Sequence, residues 1–549
     1  MVLFYADNNF YIQGTGTMPD ILNIIMNQCA DDYPSESNTQ IINRSVNVIP
    51  LPQSCSEIPP PYKPEEFWNI EQRLYRHALQ AADGILLEKL VKLHEDRAFV
   101  KESVEKAREN SPFPLVSKGW ENVSILLQGG TSAVIRTPYL RKDWEKTSGK
   151  KCKKRGKKGT GQYPVPEALG IRDGVSPATR SEIALYTVQA ASYQEAVEML
   201  ERRGLPVSTS TLQRIAIATA QADISLRDAA LTSAMNIPVQ ADGPLAGKRV
   251  RAGIDGGRVR TRKRKKGPET KKGRNRFKTP WGEPRVLVID LPDDEGVYDS
   301  LSLPLYDVVI DDADATFSLL AGYLRLLGAA HAEASEFIGD GADRIWDRAD
   351  EMIRQAEIPE SAAVQVPDFY HACEHLYGAL KLCKGLSGKK REKLYKKLRH
   401  VLRHDPQGVS KTIEQLMKLG TTRRGKKMKK AVSYFERHSH RMNYAVPDEM
   451  KLPVGSGQVE SAVRRLVSLR FKAPGTFWKE KTVGNLMHLR AFFKSGRWEE
   501  LIIRVLTGKF HMPAFKAGRE EEKISVITGL NININIVFSL LSERLQDAA

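Results

Sequence analysis

At 549 residues the chain is too long for one ordinary domain and long enough for about three or four units. Hydrophobic residues at 41% and charged residues at 27% exclude a disordered or fibrous chain, and no run approaches the ~20 apolar residues of a membrane helix. A formal net charge of +18 points to a polyanionic partner, because each phosphate neutralised releases condensed counterions; a merely soluble basic protein, or one binding acidic lipid, is the plainer alternative.

The basic excess is clustered at Lys151–Lys158, Arg262–Lys278, Lys389–Arg399 and Thr421–Lys430, which suits a long duplex better than one anionic pocket. Five scattered cysteines form no CxxC pair, and no basic n-region precedes an apolar core at the N-terminus. A cytoplasmic, bacterial-type and nucleoid-associated protein is expected.

Residues 1–60 are Asn/Ser/Thr- and Pro-rich and read as a flexible leader. A DNA-binding region is expected over 61–245. Apolar residues recur at helical spacing over 65–108, predicting two helices, and β-branched runs broken by Gly129-Gly130 predict a hairpin over 122–140. The basic Gly/Lys stretch 148–161 reads as a loop. Ser192–Gly204 followed by Ser208–Ala218 has the outline of a helix-turn-helix, with Ser208 or Ser210 as N-cap and Arg214 near the start of the recognition helix. An ordinary αα-hairpin fits the same pattern.

From about 246 the pattern changes. Strands are predicted at 249–262, 285–291 and 306–310, a helix at 314–328, a strand at 335–339, a helix from 341, a strand at 362–367 and a helix at 369–382. Three strands, helix, strand, helix, strand is the chain order of an α/β RNase-H-like core, although order alone permits other α/β folds. Core residues 246–383 would be followed by an all-α basic insertion at 384–445, the rest of the core at 446–515, and a tail at 516–549. Within that last core segment, helices are predicted at 459–469 and 499–510. Asn531–Ile536 alternates with period 2 and reads as a strand or a sticky terminus.

Asp255 falls in the first strand of this order, Asp340 at the end of the fourth, and Glu460 on the final helix. Each has a dull reading, as turn residue or solvated helix face. Together they would converge at one sheet edge and could hold two Mg²⁺ (or Mn²⁺) ions, which take hard carboxylate oxygens without help from histidine or cysteine. His371 and His375 are spaced i, i+4 and could bind zinc, but no third ligand has a telling spacing. Asp368 is expected instead to orient His371 beside the metal edge. Arg464, Arg465 and Arg470 would reach scissile-strand phosphates from the Glu460 helix, while Lys265 and Lys266 belong to the second basic cluster. Trp478 and Phe477 read as core, or as a platform for an unpaired base.

The stretches AGIDGGRVRTR (252–262), FIGDGADRIWDRADE (337–351), PDFYHACEHLYGALK (367–381) and GSGQVESAVRRLVSLRFKAPGTFWKEKTVGNLMHLRAFFKSGRWEEL (455–501) resemble the ISKra-type insertion-sequence transposases of the Mutator-like DDE group. The resemblance spans about residues 115–505. It implies an RNase-H-like core, a DDE triad at Asp255, Asp340 and Glu460, a helical insertion before the glutamate, and an Asp-x-x-His element at Asp368 and His371. It implies cleavage at element ends by water and attack of the freed 3′-hydroxyl on target DNA. Double-stranded DNA with terminal inverted repeats would be the partner, on a homo-oligomer and with no membrane. A catalytically silent DNA-binding derivative and an RNase-H-like nuclease without strand transfer are the competing readings.

Overall fold

The computed structural model describes residues 2–6, 9–13, 63–143, 161–271, 273–293, 295–296, 302–310, 312–419 and 425–515. The basic loop at 148–160, the cluster Lys151–Lys158 and the tail from 516 lie outside them. The chain divides into two compact units, 1–219 and 220–549.

In the first unit, strands Val2–Ala6 and Asn9–Gln13 pair antiparallel inside what reads from sequence as a leader without structure. Their aromatic residues, Phe4, Tyr5, Phe10 and Tyr11, favour strands. The two expected helices are Pro64–Glu95 and Arg97–Glu109. They part at Asp96, whose carboxylate accepts the Ala98 and Phe99 N–H groups at 2.8 and 3.2 Å and so caps the second. The hairpin joins Leu115–Leu126 to Ser132–Lys142. Its turn is clamped to the first helix by buried Asp83, which accepts the Gly129 and Thr131 N–H groups at 3.0 Å each. Helix Tyr193–Arg202 turns at Gly204 (φ +84°) into a helix that begins at Thr209 and runs to Ala234. Ser192 and Ser208 provide the caps, through Glu195 N at 3.0 Å and Thr211 N at 3.2 Å. No Gly or Pro interrupts residues 209–234, so nothing stops the second helix at 218.

The second unit is mixed α/β around a five-stranded sheet. Its strands are β1 (Arg249–Gly256), β2 (Pro284–Asp290), β3 (Leu305–Ile310), β4 (Ala334–Gly339) and β5 (Ala363–Pro367), in the spatial order β3–β2–β1–β4–β5. β2 runs antiparallel to both neighbours, while β1, β4 and β5 are parallel. Alternation along β1 sends Val250, Ala252 and Ile254 to one face, where they join a core that includes Leu287, Ile289, Phe337 and Trp346. Helices α1 (Ala313–Leu326) and α2 (Asp343–Gln355) add Phe317, Leu320, Leu324, Ala349 and Met352 to it. Helix α3 (Phe369–Leu380) follows β5. The insertion is all-α among its described residues, with α4 (Gly388–His404), α5 (Gly408–Lys418) and α6 (Gly425–His438). Helix α7 starts at Gly457–Val463 and passes through a π turn at Arg464–Ser468 to end at Phe471. Helices α8 (Glu480–Lys494) and α9 (Trp498–Thr507) complete the unit. No described helix is long and apolar enough to cross a membrane.

Candidate active site

Three parallel strands end side by side. Gly253 on β1 lies opposite Ile338 on β4, and Gly339 lies opposite Pro367 on β5. Carried to the carboxyl ends, that register brings Asp255, Asp340 and Asp368 level on adjacent chains that run ~4.8 Å apart. The carboxyl ends of parallel strands are where open α/β sheets gather ligands. Asp255 therefore belongs to the strand, whereas Asp340 and Asp368 are the residues immediately after theirs.

Glu460 reaches the same edge because two glycines leave room for its helix. A Cβ on Gly253 would stand 2.7 Å from Val459 Cγ2 and 2.9 Å from the Ile338 carbonyl oxygen, and one on Gly257 2.9 Å from Val467 Cγ1. The strand's far face is bare at these points and α7 packs directly on it. Gly253→Ala is expected to overpack this contact and cost about 1–3 kcal/mol, seen as a lower urea midpoint; an unchanged midpoint would mean that the helix does not depend on the bare strand.

Asp368 ties the edge together. One carboxylate oxygen accepts the His371 N–H at 2.7 Å and caps α3; the other accepts the Ser456 N–H at 2.5 Å, at the entry to α7. Ser456 Oγ donates to Glu460 Oε1 at 3.0 Å. His371 Nε2 stands 3.7 Å from the same Glu460 oxygen, and its Nδ1 3.5 Å from Glu374. Asp368 thus holds the backbone of His371 rather than orienting its ring, which corrects the expectation; the ring lies between two glutamates. Asp340 accepts the Ala342 N–H at 2.9 Å, and its carbonyl accepts the Trp346 indole N–H at 2.8 Å.

Burial raises the Asp255 carboxyl above its ordinary value. The Gly256 N–H at 2.6 Å opposes the rise, the Asp340 and Glu460 carboxylates add to it, and His371 opposes it. The three acids therefore lie close enough to repel one another. Helix α6 of the insertion closes one side: the Tyr434 ring stacks on His375 at 3.9 Å, and its hydroxyl comes so near Gly341 that a Cβ there would stand 2.7 Å away. Burial, with Asp368 and Asp340 adding, pushes the Tyr434 hydroxyl well above its usual range, and burial pulls His375 down.

No three His, Cys, Asp or Glu side chains form a ready metal cage among the described residues. The donor set is carboxylate oxygen at an open edge, with the Glu460 side chain 55% exposed. Magnesium and manganese suit such donors and keep several waters of their own. Among the described residues no third donor joins His371 and His375 to make a zinc site.

The basic residues expected at the site divide. Arg464 is exposed on α7. Arg465 bonds the Tyr306 hydroxyl at 2.6 Å and lies over its ring. The expectation for Arg470 is corrected outright: it is 3% exposed, between the rings of Phe471 and Trp478, and cannot reach a phosphate. It lies just past the π turn at Arg464–Ser468, on a buried side of α7. Lys265 and Lys266 are exposed. Arg214, in the first unit, is held by Asp173 through an ion pair and a bond to its carbonyl at 3.3 Å. Trp478 donates its indole N–H to the Phe471 carbonyl at 3.2 Å and serves as packing, while Phe477 is exposed. Ser456 and Tyr434 escape sequence reasoning. The Gly455-Ser456-Gly457 string reads only as a flexible opening, and nothing in the insertion's helical pattern separates Tyr434 from a core tyrosine.

No family model matches the chain, and no curated protein matches it.

Proposed function

We propose that this chain is a DDE transposase of the ISKra type, with an RNase-H-like core that cleaves element-end DNA and joins it to a target. The observation that carries the reading is the register that levels Asp255 with Asp340 while Glu460 descends on them from a helix seated on Gly253 and Gly257. The sheet order β3–β2–β1–β4–β5 with β2 reversed accords with that core. So does the helical insertion between the second aspartate and the glutamate.

Asp255, Asp340 and Glu460 would hold two Mg²⁺ or Mn²⁺ ions. Such a pair sharpens an oxygen nucleophile and steadies the leaving oxygen of an in-line displacement. The remaining work falls to this chain's own groups. Asp368 fixes the starts of α3 and α7 to the end of β5. Ser456 holds one Glu460 oxygen through its hydroxyl, with His371 Nε2 3.7 Å from the same oxygen. Asp255 stands on β1 and Asp340 directly follows β4, so neither can shift far without moving the sheet, and the attacking and leaving groups meet a preorganised edge.

The test is to incubate the purified full chain with labelled duplexes of the DNA flanking its own gene, in Mg²⁺, Mn²⁺ or EDTA. Cleavage followed by strand joining is expected in either metal and neither in EDTA. Cleavage without joining would make the chain a nuclease, and no metal-dependent cleavage would overturn the reading.

A further inference from the structure

The β1–β2 hairpin does not stop at the sheet. Beyond the Gly256–Arg285 pair, Val259 pairs with Gly282, Arg260 with Trp281, Lys263 with Lys278 and Arg264 with Phe277. Between those rungs the N–H groups of Gly257, Thr261 and Lys265 donate to the carbonyls of Pro284, Pro280 and Arg276. Every step outward on one arm is matched by one step on the other, so a single register runs from Asp255 out to Lys265. The eleven residues from Gly256 to Lys266, ten steps at strand rise, span about 33 Å.

The side chains alternate along this ribbon. Val259 and Thr261 are buried at 0% and 1%, while Arg258, Arg260, Arg262, Arg264 and Lys266 are exposed and share the opposite face. Trp281 and Phe277, the cross-strand partners of Arg260 and Arg264, lie exposed on that face, and the Arg260 guanidinium sits 4.0 Å over the Trp281 ring. Beyond Thr261 the other face is basic as well, with Lys265 exposed and Lys263 exposed but paired to Glu480 at 3.4 Å. Between 258 and 278 the sequence has 12 Lys and Arg against one Glu, a local +11 within a chain whose whole net charge is +18.

We infer that this ribbon is the grip for duplex DNA, holding the backbone of the segment that flanks the acid edge. A cation at every second residue recurs every ~6.7 Å, which matches alternate phosphates at ~3.4 Å of rise per strand. Charge on both outer faces fits an element lying in a groove with phosphates on either side. A membrane surface would meet only one face. Trp478 pairs with the free edge at Arg260–Arg262; beyond it the ribbon is two-stranded, and the major groove of B-DNA admits a ribbon of that kind. Because the ribbon is the outward continuation of β1, DNA held on it lies at a fixed distance from Asp255. The inference rests on the proposed function for the scissile phosphate at that edge, but not for the affinity itself.

The test measures binding of the full chain to a fluorescent 40-base-pair duplex (~40 bp is several helical turns) by anisotropy, in EDTA and over a salt series. Arg262→Ala, Arg264→Ala and Lys266→Ala combined are expected to lower the slope of log affinity against log salt by about 2.7, or ~0.9 for each phosphate no longer neutralised, and to weaken binding ~10²-fold at 0.1 M salt. All three sites are exposed, so the fold should survive, as a thermal melt would verify; the matching Arg→Lys and Lys→Arg exchange should keep the slope. An unchanged slope overturns the inference. So does an equal fall on removing Lys389, Lys390 and Lys393 from α4, which would show that bulk charge is being read, and so does tighter binding to an RNA duplex, whose major groove is too narrow for the ribbon. Because no divalent metal is present, the two readings can fail separately. A lowered slope without cleavage activity keeps the ribbon and removes the transposase; cleavage with an unmoved slope does the reverse.

Discussion

Asp255→Asn is expected to lower metal-dependent DNA cleavage by at least ~10³-fold and, at the same time, to raise the melting temperature of the metal-free chain near neutral pH. The first effect follows if one of the three carboxylates that would hold the metals is removed, since several kcal/mol of transition-state charge stabilisation corresponds to that many decades. The second follows from the environment of the carboxylate. Burial, then Asp340 and Glu460, hold the Asp255 pKa above its unfolded value despite the Gly256 N–H. A carboxyl with a raised folded pKa opposes folding at pH values above that pKa, and the penalty disappears as pH falls through it. The stabilising effect of the amide should therefore shrink as pH is lowered toward the range where wild-type Asp255 is itself protonated. Asp340→Asn and Glu460→Gln should lose activity alike. Gel assays of cleavage paired with thermal melts across pH check both limbs. Activity of Asp255→Asn within tenfold of wild type would remove it from the site, whatever the melts show.

Sites that trade stability for function also shape what a sequence reveals. The edge was legible because its requirements are local. An acid after β-branched or aromatic strand residues marks a strand end, and the strand pattern of β1 to β4 is strong because each of those strands is largely buried. What positions Glu460 was not legible. Gly253 and Gly257 read as residues of the strand predicted at 249–262; neither has a positive φ, and their role is to be bare beneath a helix that lies some 200 residues away in sequence. Helix α8 gives no amphipathic period because it is buried nearly all round, Asn485, His488 and Arg490 included. Arg470 looked available because a helix arginine ordinarily faces solvent; nothing in its residue type announces that Phe471 and Trp478 enclose it. The inner part of the ribbon falls within the strand predicted at 249–262, whereas the part from Lys263 outward was visible as charge but not as structure. Its Lys/Arg run carries little strand propensity, and only the unbroken register of the β1–β2 pair draws it out.

The largest stability effect is expected at His488, far from the acid edge. Its imidazole is 2% exposed and lies between two buried carboxylates, Asp223 Oδ2 at 2.9 Å and Asp307 Oδ1 at 3.3 Å. Asp307 also accepts from Arg227 Nη1 at 2.7 Å and the Tyr323 hydroxyl at 2.9 Å, while Arg504 stands 3.8 Å from Asp223. One histidine thus links the helix that ends at Ala234 to β3, α1, α8 and α9. Burial pulls its pKa down, but the bonds and charges of Asp223 and Asp307 outweigh that and lift it above the ordinary value. Asp307 is correspondingly held well below the usual carboxylate range against the opposing pull of burial, with Arg227 the largest favourable contributor. His488→Leu removes the shared cation and leaves two buried carboxylates with only the arginines, at a cost of about 3–5 kcal/mol. A histidine whose folded pKa is raised gives its full stabilisation below the unfolded pKa of ~6.5 and loses it as pH rises through the folded value. The wild-type urea midpoint should therefore fall between pH 6 and higher pH by an amount that His488→Gln, which cannot take the proton, does not show. Equal pH dependence in the two proteins would mean that His488 is neutral in the folded chain and that Arg227 and Arg504 alone balance the aspartates.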